Sequence, residues 1–179
     1  MIFKKLLLAS LFIFLLCCSF IVFAKDTDEA GIIQFRSLSL STAKQASWGA
    51  ITACRKQGYS VAVAIVDRGG NLQAFFRDRL AGPHTVETAI RKAWTANSFR
   101  QSTAELAVFL KKGRIPQQVQ HNPGALLVGG GELIWSGGQI IGGIGVSGAP
   151  PGKSEGDSID GTCAKAGLDA IQDILDFAE

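Results

Sequence analysis

Apolar positions along this chain recur at two spacings, and the change from one to the other predicts the order of elements. Ala43, Ala46, Ala50, Ile51 and Cys54 fall on one stripe of a helix. Ser39 or Ser41 can cap its start, and Gly58 stands at its end. Val61 to Val66 is an unbroken apolar run rich in β-branched residues, which predicts a buried strand. Asp67-Arg68-Gly69-Gly70-Asn71 is a turn cluster, and Leu72 to Arg77 completes a hairpin. Pro83 and Thr85 then open a second helix over about Val86 to Phe99. Ser102 and Glu105 have capping-box spacing ahead of Leu106 to Leu110, a short helix ended by Gly113. Arg114 to Gly124 predicts a loop. Three further apolar runs read as strands: Ala125 to Val128, Leu133 to Trp135 and Gln139 to Val146. Gly148 to Gly156 is a second loop. Ile159, Cys163, Ala166, Ala170, Ile171, Ile174 and Leu175 then stripe a final helix from Asp157 to Phe177.

The order is helix, hairpin, two helices, three strands, helix. It lacks the βαβ alternation of a parallel sheet, so the fold class is α/β in the α+β sense, with a largely antiparallel sheet carrying helices. A length of 179 residues suits one domain. The first 24 residues have a different pattern. Lys4 and Lys5 precede an apolar run from Leu6 to Phe23, and Val22-Phe23-Ala24 resembles a cleavage site. Residues 1–24 are therefore expected to be a secretory signal peptide, 25–37 a flexible leader, and 38–179 the domain. The expected location is secreted or periplasmic, with membrane contact only through the signal segment if it stays uncleaved.

Removing the signal takes away two lysines and lowers the formal charge from +3 to +1. A near-neutral chain lacks the basic stripe of an electrostatic nucleic-acid binder, so no nucleic-acid partner is expected. Removal also leaves only Cys54 and Cys163. In an oxidising compartment they could bridge, or each could be a small core residue; both readings stay open.

The stretch Gly142 to Ser154 raises a nucleotide question. Gly143, Gly145 and Gly148 spell G-x-G-x-x-G, but Pro150 and Pro151 interrupt before any helix. Gly148 to Ser154 is one residue short of a phosphate-binding loop, and its two prolines lack N–H donors. The glycines read better as close backbone approach in a strand and as turn geometry.

Four segments together resemble the GlcG/HbpS family, a group of small bacterial domains that includes haem-binding proteins. They are Val61 to Gly70; Gly82-Pro83-His84-Thr85 with Ala89 to Ala96; Ile141 to Pro151; and Cys163 to Leu168. The resemblance spans about Leu38 to Phe177. It implies a profilin-like α/β/α sandwich with a five-stranded antiparallel sheet, commonly a homo-oligomer, and haem or a related tetrapyrrole as ligand. It also implies links to glycolate and cobalamin metabolism, hence an accessory or interaction-module role as the other reading. After Pro151 many relatives carry an acidic pair, where this chain has Lys153 and Ser154.

Within that resemblance His84 is the candidate metal ligand, because an imidazole is a standard axial ligand of haem iron. His84, Thr88, Arg91 and Thr95 are spaced to share a helix face. Arg91 or Lys92 could pair with a haem propionate, and Thr95 completes the face. His121, in the Pro-containing loop, is a second candidate ligand. A hydrolase triad from Ser147, His84 and Asp67 lacks the G-x-S-x-G elbow.

Overall fold

The structure, a computed structural model, describes residues 31–154 and 156–177. The expected signal segment, residues 1–24, lies outside them, as do 25–30 of the leader. The chain divides into two units, residues 1–34 and Phe35–Glu179. Of the first unit only 31–34 are described, without regular structure. No described helix is long and apolar enough to cross a membrane.

The second unit opens with α1 (Leu40–Lys56), where the Thr42 amide donates to the Ser39 hydroxyl at 3.2 Å. Next come β1 (Ala62–Asp67) and β2 (Leu72–Arg77). In the turn between them the Asn71 amide donates to the Asp67 carboxylate at 2.9 Å, the local bond expected of an Asp that opens a turn. Two helices follow, α2 (Thr85–Phe99) and α3 (Thr103–Lys111). The Ser102 hydroxyl caps α3 by accepting from the Glu105 amide at 3.3 Å and bonds the Glu105 carboxylate at 2.8 Å. A 3-10 turn, Gln117–His121, leads to β3 (Gly131–Ser136) and β4 (Gln139–Ser147). The chain ends in α4 (Ile159–Asp169) and α5 (Gln172–Phe177).

The sheet is antiparallel, in the order β2-β1-β4-β3. Its two faces differ in side-chain size. Val63 pairs with Val146 and Ile65 with Ile144, and these large residues meet α1 and α4 in the main core. Ala64 pairs with Gly145 and Val66 with Gly143 on the opposite face, under Ala89 and Ala93 of α2. Small residues on that face let α2 lie almost on the backbone. A Cβ on Gly143 would stand 2.6 Å from the Ala93 carbonyl oxygen, and one on Gly145 would collide with that of Ala89. The glycine stretch thus serves close helix–sheet packing, one of the roles expected for it. Helices on both faces make the α/β/α sandwich.

The expected fifth strand is absent: among the described residues the sheet has four strands. Ala125 to Val128 forms no ladder because side chains of α2 take its backbone groups. Arg91 donates to the Ala125 carbonyl at 2.7 Å, and the Leu126 amide donates to the Thr95 hydroxyl at 2.8 Å. The final helix is also two helices rather than one. The Ala170 carbonyl, where the first ends, accepts from the Gln45 side chain of α1 at 2.6 Å, and Ile171 turns into the core at 1% exposure.

Cys54 and Cys163 are disulfide-bonded, with Cα atoms 5.5 Å apart, which closes the alternative the sequence leaves open. The bridge ties α1 to α4. These helices approach closely enough for it because Gly49 and Gly167 sit at their contact, where a Cβ on Gly167 would lie 2.6 Å from the Ala46 carbonyl.

On β3, Glu132 faces a polar cleft with Glu105 and Lys165. Burial pushes its carboxyl up to about 7; Lys165, 3.9 Å away, pulls it down and Glu105 adds to the rise. The folded state therefore holds this proton where the unfolded chain has released it. Stability from Glu132 is present below its ordinary carboxyl range and declines as pH rises to about 7. In urea titrations, Glu132→Gln is expected to flatten that decline; an unchanged pH slope would refute it.

Candidate functional site

A cleft of about 340 Å³ opens where the N-terminus of α2 meets the end of β4 and the start of α4. His84, Thr88 and Lys92, one helical turn apart, form one wall. Ser147 to Pro151 form the other, with Val128 and Gly129 at one side and Asp157, Ser158 and Asp160 below. Gly148 makes the wall possible. Its φ of 141° is a conformation that side chains rarely adopt, and a Cβ would stand 2.9 Å from Val61 Cα.

The floor is a buried ion pair. Lys92 Nζ lies 2.8 Å from Asp160 Oδ2, with exposures of 2% and 5% for the two residues. Lys92 also donates to the Val146 carbonyl at 3.1 Å, and the Ala149 amide donates to Asp160 Oδ1 at 2.9 Å. These bonds satisfy both charges, as burial requires. They also join α2, β4, the Gly148–Pro151 loop and α4 at one point. Ser158 helps hold that geometry by capping α4, its hydroxyl accepting from the Gly161 amide at 3.1 Å.

The four candidate residues separate. His84 occupies the N-cap position of α2, and its imidazole makes no capping hydrogen bond. The ring is exposed at the cleft mouth and rests against Gly82. Arg91 and Thr95 face the Gly124–Leu126 segment instead, through their bonds to the Gly124 and Ala125 carbonyls and the Leu126 amide. Arg91 also lies 3.8 Å from Glu87. Neither lines the cleft. His121 is exposed in the 3-10 turn and lies outside the cleft lining as well. The shared face is therefore His84-Thr88-Lys92, at spacings of four, while Arg91 and Thr95 organise the loop beside it.

The sequence offers Lys92 as a propionate partner, whereas the structure gives it to Asp160. A signal was present: Lys92 lies in the Ala89-Ala93-Ala96 stripe of an otherwise buried face, and a charge in such a position requires a partner. Which of the acidic residues supplies it was not readable. Among the described residues no cluster of three or more His, Cys, Asp or Glu could hold a metal ion.

Known proteins share this architecture. The crystal structure of HbpS is 37% identical, with a TM-score of 0.72 over 79% of this chain and 95% of that one. The crystal structure of the PduOC:haem complex is 28% identical, with a TM-score of 0.66 over 76% of this chain and 96% of that one. The corrinoid adenosyltransferase PduO of Citrobacter freundii is 31% identical over 114 residues, 63% of this chain. The chain spans 34% of that enzyme's length. Residues 38–169 match the family model described as haem degrading protein HbpS-like, and the chain belongs to this HbpS-like family.

Proposed function

We propose that this protein binds haem, or a related tetrapyrrole, at the His84 cleft. The observation that carries the reading is the uncommitted His84 imidazole at the mouth of a partly apolar cleft. Family membership and the haem complex of a 28% identical relative support it.

The cleft suits such a ligand in three respects. His84 offers an imidazole nitrogen; Val128, Ala149, Pro150 and Pro151 offer apolar surface; and Lys92 and Asp160 cancel each other, which leaves Asp157, whose carboxylate accepts from the Lys153 amide, as the acidic group of the lining. Bound haem would supply an iron centre with imidazole ligation, whose reactivity the surroundings tune. Neither Lys92 nor Arg91 is left to meet a propionate, so those groups extend toward water. At about 340 Å³ the cleft is at the small end of ligand sites, so it holds an edge of a porphyrin. A second copy of the chain would cover the exposed part of such a ligand, in keeping with the homo-oligomer that the family resemblance implies. The Cys54–Cys163 bridge supports export, because disulfides persist in oxidising compartments.

Titration with hemin is expected to give a saturable, red-shifted Soret band that weakens at least about tenfold in His84→Ala, the loss of one ligand bond. Saturable binding unchanged by the substitution would move the site away from His84. No saturable band at micromolar protein would refute haem binding. Cobalamin titrated in parallel tests a second reading, a corrinoid-linked accessory role, which the similarity to PduO favours.

A further inference from the structure

We infer a second ligand site, for a small primary ammonium compound carrying hydroxyls, in the polar cleft between the starts of α3 and α4. The cleft holds about 300 Å³, and its lining includes Ser102, Glu105, Glu132, Asp157, Thr162 and Lys165. Ser102 and Glu105 come from the start of α3, Glu132 from β3, and Thr162 and Lys165 from α4. Asp157 and Ser158 also line the His84 cleft, so the start of α4 stands between the two clefts.

Glu132 carries the inference. Its side chain is 12% exposed, yet its carboxyl makes no hydrogen bond among the described residues. A carboxyl so covered ordinarily has a partner. The cation nearest to it, Lys165, is 69% exposed and stands 3.9 Å away, beyond hydrogen-bond distance. The two other acids of the described lining are engaged. Glu105 accepts from the Ser102 hydroxyl at 2.8 Å, and Asp157 accepts from the Lys153 amide at 3.3 Å. The space in front of Glu132 is kept open by Gly161 in the first turn of α4, where a Cβ would stand 3.5 Å from Glu132 Oε1. A glycine inside a helix costs about 1 kcal/mol relative to alanine, and here its missing side chain leaves a cradle beside the carboxyl.

An ammonium seated in that cradle donates to Glu132 at closer range than Lys165 reaches. Three carboxyl groups against one lysine disfavour an anion in the same place. The Ser102, Ser158 and Thr162 hydroxyls suit a ligand that bears hydroxyls of its own. Burial holds the Glu132 proton up to about 7, Lys165 opposes the rise and Glu105 adds to it. A bound ammonium favours the charged form, so binding near neutral pH releases that proton and weakens as pH falls.

2-Amino-1,3-propanediol is the probe, titrated into the whole protein by calorimetry. Glycerol, in which a hydroxyl replaces the ammonium, is the neutral control. Saturable binding of the amine is expected at about pH 8 and none of glycerol. Affinity is expected to fall about tenfold toward pH 6, following the ionised fraction of a carboxyl that titrates at about 7. Glu132→Gln keeps the size and neutrality of the protonated acid, so it tests charge rather than folding. It is expected to bind at least about tenfold more weakly and to lose the pH dependence. Lys165→Met removes a competing cation at an exposed position and is expected to bind more tightly. His84→Ala is expected to bind the amine normally, which separates this site from the haem cleft. Absence of saturable heat to about 10 mM, equal binding of glycerol, equal binding by Glu132→Gln, or weaker binding by Lys165→Met would overturn the assignment.

Discussion

Opening the Cys54–Cys163 bridge is expected to cost the domain about 4–5 kcal/mol, the loop-entropy value for a closure of this size. The cysteines are 109 residues apart, so the bridge encloses most of the described fold. In the reduced unfolded chain that constraint is gone, and folding must bring α1 and α4 together without it. The two helices form one side of the main core, with Ala46, Ala50, Ile51, Ala164 and Ile171 packed there. Comparing the parent with Cys54→Ser/Cys163→Ser in urea should therefore show a large drop in midpoint at nearly unchanged fold, and a melting temperature lower by about 10 °C or more. A loss below about 1 kcal/mol would mean that the Gly49–Gly167 contact already holds the helices in the unfolded reference.

Breaking the buried ion pair is expected to cost nearly as much, about 3–5 kcal/mol for either Lys92→Met or Asp160→Asn. Lys92→Met leaves a carboxylate at 5% exposure with only the Ala149 amide as partner. Asp160→Asn leaves an ammonium at 2% exposure with only the Val146 carbonyl. The double variant Lys92→Met/Asp160→Leu removes both charges and should be more stable than either single variant, though short of the parent because those two backbone groups lose partners. Additive losses would show that the pair is uncoupled and refute the assignment. Since the pair pins the Gly148–Pro151 wall, hemin binding should weaken in the single variants beyond what their stability loss explains.

Much of the local structure was legible because it rests on bonds between residues close in sequence. Ser39 and Ser102 cap the helices they precede, Asp67 closes the hairpin turn, and the glycines of β4 serve close packing. The places where the reading failed share one cause, a partner far along the chain. Ala125 to Val128 looks like a strand by composition, but Arg91 and Thr95, about thirty residues earlier, take its backbone groups. The final helix carries no Gly or Pro at its break; Gln45, 125 residues away, captures the Ala170 carbonyl.

The candidate site divides in the same way. His84 at the start of α2 follows from the sequence, because Pro83 and Thr85 mark the helix start. That Lys92, rather than Arg91, continues the His84-Thr88 line into the cleft depends on how α2 is rotated on the sheet. The rotation is decided by where Gly143 and Gly145 let the helix backbone down.

By itself the sequence determined the opening helix and hairpin, the two helices that follow, the antiparallel class and the helix caps at Ser39 and Ser102. Each of these depends on short-range hydrogen bonding or on the period of the apolar pattern. The tertiary structure alone decided the number of strands, the division of the final helix, the closing of the disulfide and the Lys92–Asp160 pair across 68 residues. Those depend on which distant surfaces pack together, and periodicity carries no record of that.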